Sequence, residues 1–177
     1  MTATFGEVPK VDPGDVLPDV LVPGLKVVFC GSAAGRRSAE LGAYYAGPGN
    51  RFWPLLHELG LTPRRLRPEE FRAVLQYGVG LTDLAKKVWG ADGVLPKGCD
   101  DPAGLQGRIL AARPQVLAFN GKRPAQAFLG RKTTCGLQPE TIGETSIFVL
   151  PSTSRANVHF ATNEPAWREL ARYLERP

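Results

Sequence analysis

Histidine and cysteine are scarce in this chain: two histidines, His57 and His159, and three cysteines, Cys30, Cys99 and Cys135, among 177 residues. The cysteines are odd in number, widely spaced and without a Cys-x-x-Cys pair. That disfavours a disulfide framework, a zinc site and a four-cysteine iron–sulfur cluster. Two histidines leave little for a His-built metal centre, so chemistry without metal or cofactor is expected. No apolar run approaches the roughly 18 residues of a membrane span, and no membrane partner is expected. The Gly-x-Gly-x-x-Gly fingerprint and the Lys-Ser/Thr of a phosphate loop are also missing, which counts against a nucleotide-handling protein. The opening MTATFGEVPKVDPGD lacks the basic-then-apolar order of a secretory leader, so an intracellular, cytoplasmic setting is expected.

What is present is ordinary globular composition, 43% hydrophobic and 22% charged. At roughly 150 residues per domain the chain is one domain, long enough to bury roughly two-thirds of its unfolded surface. Lysine and arginine exceed aspartate and glutamate to give a net charge of +5. A modest basic excess suits a polyanion partner, though many unrelated proteins share it.

Prolines 9, 13, 18 and 23 punctuate a stretch without sustained period, read as an N-terminal arm over residues 1–18 followed by one domain over 19–177. Short apolar runs at 25–30 (LKVVFC), 115–120 (QVLAFN) and 146–150 (SIFVL) predict buried strands, with a weaker one at 77–81 (YGVGL). Helical patterns lie between them. Asn50 precedes RFWPLLHELG, with Phe52, Leu55, Leu56 and Leu59 on one face. Pro68 opens PEEFRAVLQY, Pro102 opens PAGLQGRILAAR, GKRPAQAFLG follows the QVLAFN strand, and Asn163 is expected to cap EPAWRELARYLER. Alternating strands and helices predict a parallel α/β sheet covered on both faces, with the working site off the carboxyl ends of the strands.

Three strand ends offer chemistry. Gly31-Ser32-Ala33-Ala34-Gly35 is either a tight turn or a backbone cradle for a ligand. Ser152-Thr153-Ser154-Arg155-Ala156-Asn157 is either a loop whose hydroxyls bond their own backbone or a phosphate-binding loop. In Gly80-Leu81-Thr82-Asp83-Leu84, Asp83 is either a helix-starting residue or a carboxylate delivered to the site.

Taken in this order, and with Tyr44-Tyr45-Ala46-Gly47-Pro48-Gly49-Asn50-Arg51-Phe52-Trp53 and Asn120-Gly121-Lys122, these segments resemble the mismatch-specific uracil/thymine-DNA glycosylases. That branch of the uracil-DNA glycosylase superfamily is matched from about Asp19 to Tyr173. The resemblance implies a three-layer α/β/α sandwich with a short, mainly parallel central sheet. It also implies a metal-free hydrolysis of the bond between a flipped base and its deoxyribose. In the branch's Gly-x-Asn-Pro-Gly motif the asparagine positions the attacking water; here Ala33 stands in that place. By position, the Ser32 amide meets a carbonyl of the flipped base, Tyr45 stacks on it, and Asn50 either caps a helix or holds the pocket. Ser152, Ser154, Arg155 and Ala156 match the loop that enters the duplex, with Arg155 where an apolar wedge is expected, and Lys122 suits a backbone phosphate.

With Ala33 silent, a carboxylate is needed near the sugar, and Asp83 is the best placed, with Thr82 to orient it. Asp92, Asp100 and Asp101 lie in a longer loop, where only a lid-like movement would bring them in, and Glu40 is expected to face solvent on a helix. The expectation is a monofunctional, monomeric uracil-DNA glycosylase acting on double-stranded DNA that carries a mismatched or damaged base, foremost G·U mispairs. Thymine and adducted cytosine are further candidate bases. Its abasic product would pass to a downstream endonuclease. A hypoxanthine- or xanthine-directed glycosylase, or a weakly catalytic module that binds damaged bases, is the alternative.

Overall fold

The computed structural model describes residues 14–177, so most of the expected arm, residues 1–13, lies outside the described residues. Five strands form one sheet: β1 Val27–Gly31, β2 Val79–Asp83, β3 Val116–Asn120, β4 Gly136–Ile142 and β5 Thr145–Leu150. Their order is β2-β1-β3-β5-β4, with β4 alone antiparallel. The four parallel strands read as continuous apolar runs because both of their faces are covered. Phe29, Leu81, Ala118 and Phe148 point to one side, Cys30, Leu117, Phe119 and Val149 to the other.

The first side is packed by α2 Phe52–Glu58 and α6 Pro165–Leu174 through Phe52, Leu56, Trp167 and Leu170. The second is packed by α3 Pro102–Ala112 and α4 Lys122–Leu129 through Leu105, Ile109 and Ala125. Two layers of helices thus enclose a mixed, mostly parallel sheet, the expected sandwich. Two short helices, α1 Arg36–Leu41 and α5 Phe160–Asn163, sit in the loops above the strand ends.

Several local expectations need correcting. The segment Pro68–Tyr77 is a 3₁₀ helix, consistent with apolar Phe71, Val74 and Tyr77 spaced by three. Asn163 does not cap α6: it closes α5, its amide donating to the His159 carbonyl at 3.4 Å, and Glu164 stands at the start of α6. Strand β4 carries no sequence signal, since Gly136 and Pro139 depress strand propensity. An edge strand tolerates Pro139, and the register shifts between Leu137 and Thr141. From Asp15 onward the chain lies along β2, where Val20 and Leu81 exchange backbone hydrogen bonds at 2.9 and 3.0 Å.

Candidate active site

The carboxyl ends of β1, β2, β3 and β5 open into a cavity of about 540 Å³. Two buried indoles fix its walls. Trp53 Nε1 donates to the Tyr44 carbonyl and Trp167 Nε1 to the Pro151 carbonyl, both at 3.0 Å, pegging the loops after β1 and β5 to the core. Ser32, Tyr45, Asn50, Asp83, Ser152, Ser154 and Ala156 all line the cavity, so residues up to 124 positions apart in the chain share one wall.

Asp83 ends β2 paired with Gly31 across the sheet, and no helix begins at it. It is 4% exposed. No group among the described residues hydrogen-bonds its carboxylate. Burial pushes its pKa up to about 6, opposed by the charges of Lys86 and Arg108. Thr82 does not orient it: the Thr82 hydroxyl donates to Asp19 at 2.6 Å instead. Gly31 shows where the carboxylate sits. A methyl placed on this glycine would lie 2.8 Å from Asp83 Oδ1 and 3.5 Å from the Tyr45 hydroxyl, so both groups converge directly above it.

Tyr45 adopts φ +52°, a left-handed conformation uncommon for a non-glycine residue. That turn lays its half-buried ring on Phe52, centroids 3.9 Å apart. Its hydroxyl is buried without a hydrogen-bond partner, and burial, then Asp83, raises its pKa well above the ordinary value. Tyr44, the residue before it, is core: 1% exposed, with its hydroxyl donating to the Pro18 carbonyl. Asn50 accepts from the Phe52 amide at 3.0 Å, fastening the start of α2, and the residue lines the cavity.

In the loop after β5 the hydroxyls of Ser152 and Ser154 accept from the backbone amides of Ser154 and Ala156, at 3.2 and 3.3 Å. Arg155 and Lys122 lie outside the cavity lining. Both are exposed, Lys122 at the start of α4 and Arg155 with its stem over Gly49.

A family model described as the uracil DNA glycosylase superfamily matches residues 18–175. The chain belongs to the uracil DNA glycosylase superfamily. It is similar to the solution NMR structure of a candidate uracil DNA glycosylase from Methanosarcina acetivorans, with 24% sequence identity and a TM-score of 0.61. The match covers 90% of this chain and 97% of that one, and at this identity it speaks for the fold. As a superfamily member the protein is a DNA glycosylase, a hydrolase of base excision repair whose substrate is DNA.

Asn120, expected with Gly121 and Lys122 to form a strand end suited to a backbone phosphate, spends its side chain on the loop after β5 instead. The side chain lies at the end of β3, 7% exposed, and grips Thr153 twice, donating to its hydroxyl at 2.9 Å and accepting from its amide at 3.0 Å. A polar residue closing an apolar strand was the available signal. Asp92 already lines the cavity, whereas Asp100 is held by Arg123 at 2.7 Å and Asp101 caps α3 through the Gly104 amide. Among the described residues no three His, Cys, Asp or Glu side chains cluster as metal ligands would.

Proposed function

We propose that this glycosylase belongs to the mismatch-specific branch and removes uracil, foremost from G·U mispairs, with thymine and adducted cytosine as further substrates. The observation that carries the reading is the convergence of the Asp83 carboxylate and Tyr45 above Gly31 inside the cavity. The base leaves the duplex and stacks on the free side of the Tyr45 ring. Stacking of this kind contributes about 1–3 kcal/mol and tolerates different bases. The Ser32 amide and the Asn50 NH₂ group meet its polar edge.

Cleaving the base–sugar bond builds positive charge on the sugar. Asp83, with a pKa of about 6, is charged at neutral pH, so its carboxylate stabilises that cation in a poorly solvated wall. The same raised basicity suits it to orient water and accept its proton. Ala33 has no polar side chain to share this work. Of the two carboxylates lining the cavity, Asp92 is exposed while Asp83 is buried at a strand end beside Tyr45, so Asp83 is taken as the catalytic group. Ser152, Ser154, Arg155 and Ala156 form the edge that enters the duplex, Arg155 filling the gap or bonding the widowed base or a phosphate, and Lys122 binds a backbone phosphate. The enzyme acts as a monomer on DNA in the cytoplasm and leaves an abasic site for a downstream endonuclease.

A cavity of about 540 Å³ admits a purine as well as a pyrimidine, so hypoxanthine or xanthine is the second substrate class to test. Free-base release from G·U, A·U, single-stranded uracil and G·hypoxanthine oligonucleotides tests the reading. Release led by G·U is expected. Release from hypoxanthine alone would reassign the substrate, and a gel shift without release would mark a damaged-base binder.

A further inference from the structure

Next to Asp83 lies a charge cluster that the proposed chemistry leaves unused. Asp19, on the segment running along β2, accepts from the Thr82 hydroxyl at 2.6 Å. Its carboxylate lies 2.8 Å from Lys86 Nζ and 3.3 Å from Arg108 Nε, the second contact without hydrogen-bond alignment. Lys86 also donates to the Leu17 carbonyl at 2.7 Å, and Arg108 Nη2 donates to the Asp83 carbonyl at 3.0 Å. Lys86 is 7% exposed, an uncommon position for a lysine. Apolar side chains of similar volume would serve packing here as well as two cations do.

We propose that residues 15–20 are a working part of the catalytic site: Lys86 and Arg108 keep the Asp83 carboxylate charged while a base is removed, and Asp19, which pairs with both cations, shares their charge and tempers that effect. Lys86, Arg108 and Asp19 are positioning residues under this proposal, which rests on Asp83 being the catalytic carboxylate. Two anions and two cations make the cluster neutral as a whole, while Asp83 alone faces the cavity. The other titratable groups facing Asp83 are Cys30, Tyr44 and Tyr45. Burial raises the pKa of each well above its ordinary value, so they remain neutral across the acidic and neutral range.

The sign of each perturbation follows. Asp83 must be ionised to work, so excision falls as pH drops through its pKa. Lys86→Met removes a favourable cation, and the acid limb of the pH–rate profile moves up by about one pH unit or more. The rate recovers once the pH is high enough to ionise Asp83. Asp19→Asn removes a like charge and frees the cations toward Asp83, so the limb moves down. A purely structural role predicts lower amplitude with the limb unmoved.

The experiment is single-turnover uracil release across pH for wild type, Lys86→Met, Asp19→Asn and Asp83→Asn, with circular dichroism on each. Opposite displacements of the limb in the first two variants are the expected result. Limbs that stay in place, or move the same way, overturn the proposal. Should Lys86→Met fail to fold, Asp19→Asn decides alone, because its amide oxygen still accepts from Thr82. If Asp83→Asn keeps the wild-type rate and profile, the catalytic assignment fails and the cluster's role with it. If Asp83→Asn is inactive while the other limbs stay put, only the cluster's role fails.

Discussion

Gly31→Ala is the sharpest small perturbation of the site. Gly31 lies in β1 outside the left-handed region, so an alanine fits its backbone. The added methyl would stand 2.8 Å from Asp83 Oδ1, whereas ordinary van der Waals contact begins at 3.4 Å, so the carboxylate must retreat by about 0.6 Å. The Tyr45 hydroxyl, at 3.5 Å, need not move. Removing a strand glycine returns about 0.5–1 kcal/mol of chain entropy, and crowding costs about 1–3 kcal/mol, so the net loss of stability stays near 1–2 kcal/mol. Catalysis suffers more, because a 1 Å misplacement costs about a hundredfold. A loss of roughly ten- to a hundredfold in single-turnover uracil release from a G·U duplex is expected, with the thermal midpoint lowered by only about 2–8 °C. A folded Gly31→Ala protein with the wild-type rate would show that the position above Gly31 is not where the chemistry occurs.

Asp83→Asn should melt later than wild type at neutral pH. The folded carboxyl has a pKa of about 6 against an ordinary 3.8, so the fold favours the protonated form. Stability is therefore full at low pH, falls as the group ionises between these values, and is flat above. Asparagine removes that cost, a gain of up to about 3 kcal/mol at neutral pH and none near pH 4, readable by denaturant unfolding at both. Tyr45→Phe removes a partnerless buried hydroxyl and should leave excision within about twofold. Tyr45→Ala should lower excision or substrate affinity by roughly five- to a hundredfold, the worth of one stacked base. Arg155→Ala should weaken duplex binding and lower the salt slope of the binding constant by about 1, measured by anisotropy titration at several salt concentrations.

The parallel strands were legible because a run buried on both faces is apolar at every position. The site was legible where a polar residue closes such a run, as Asp83 and Asn120 do. The charge cluster was not, because Thr82 and Asp19 meet across 63 residues of chain and neither segment marks the other locally. Tyr45 and Tyr44 are adjacent, and the positive φ and greater exposure of Tyr45, neither written in the local pattern, tell the half-buried ring from the core ring. Strand β4 escaped notice because an edge position excuses Pro139 from the ladder, so no apolar alternation was needed to hold it.

Asp83→Asn and Asp83→Ala, assayed by single-turnover release of uracil from a G·U duplex at saturating enzyme, test the assignment of Asp83 most directly. The account predicts a loss of several orders of magnitude in both variants, with duplex affinity retained. Release at the wild-type rate by either would contradict it.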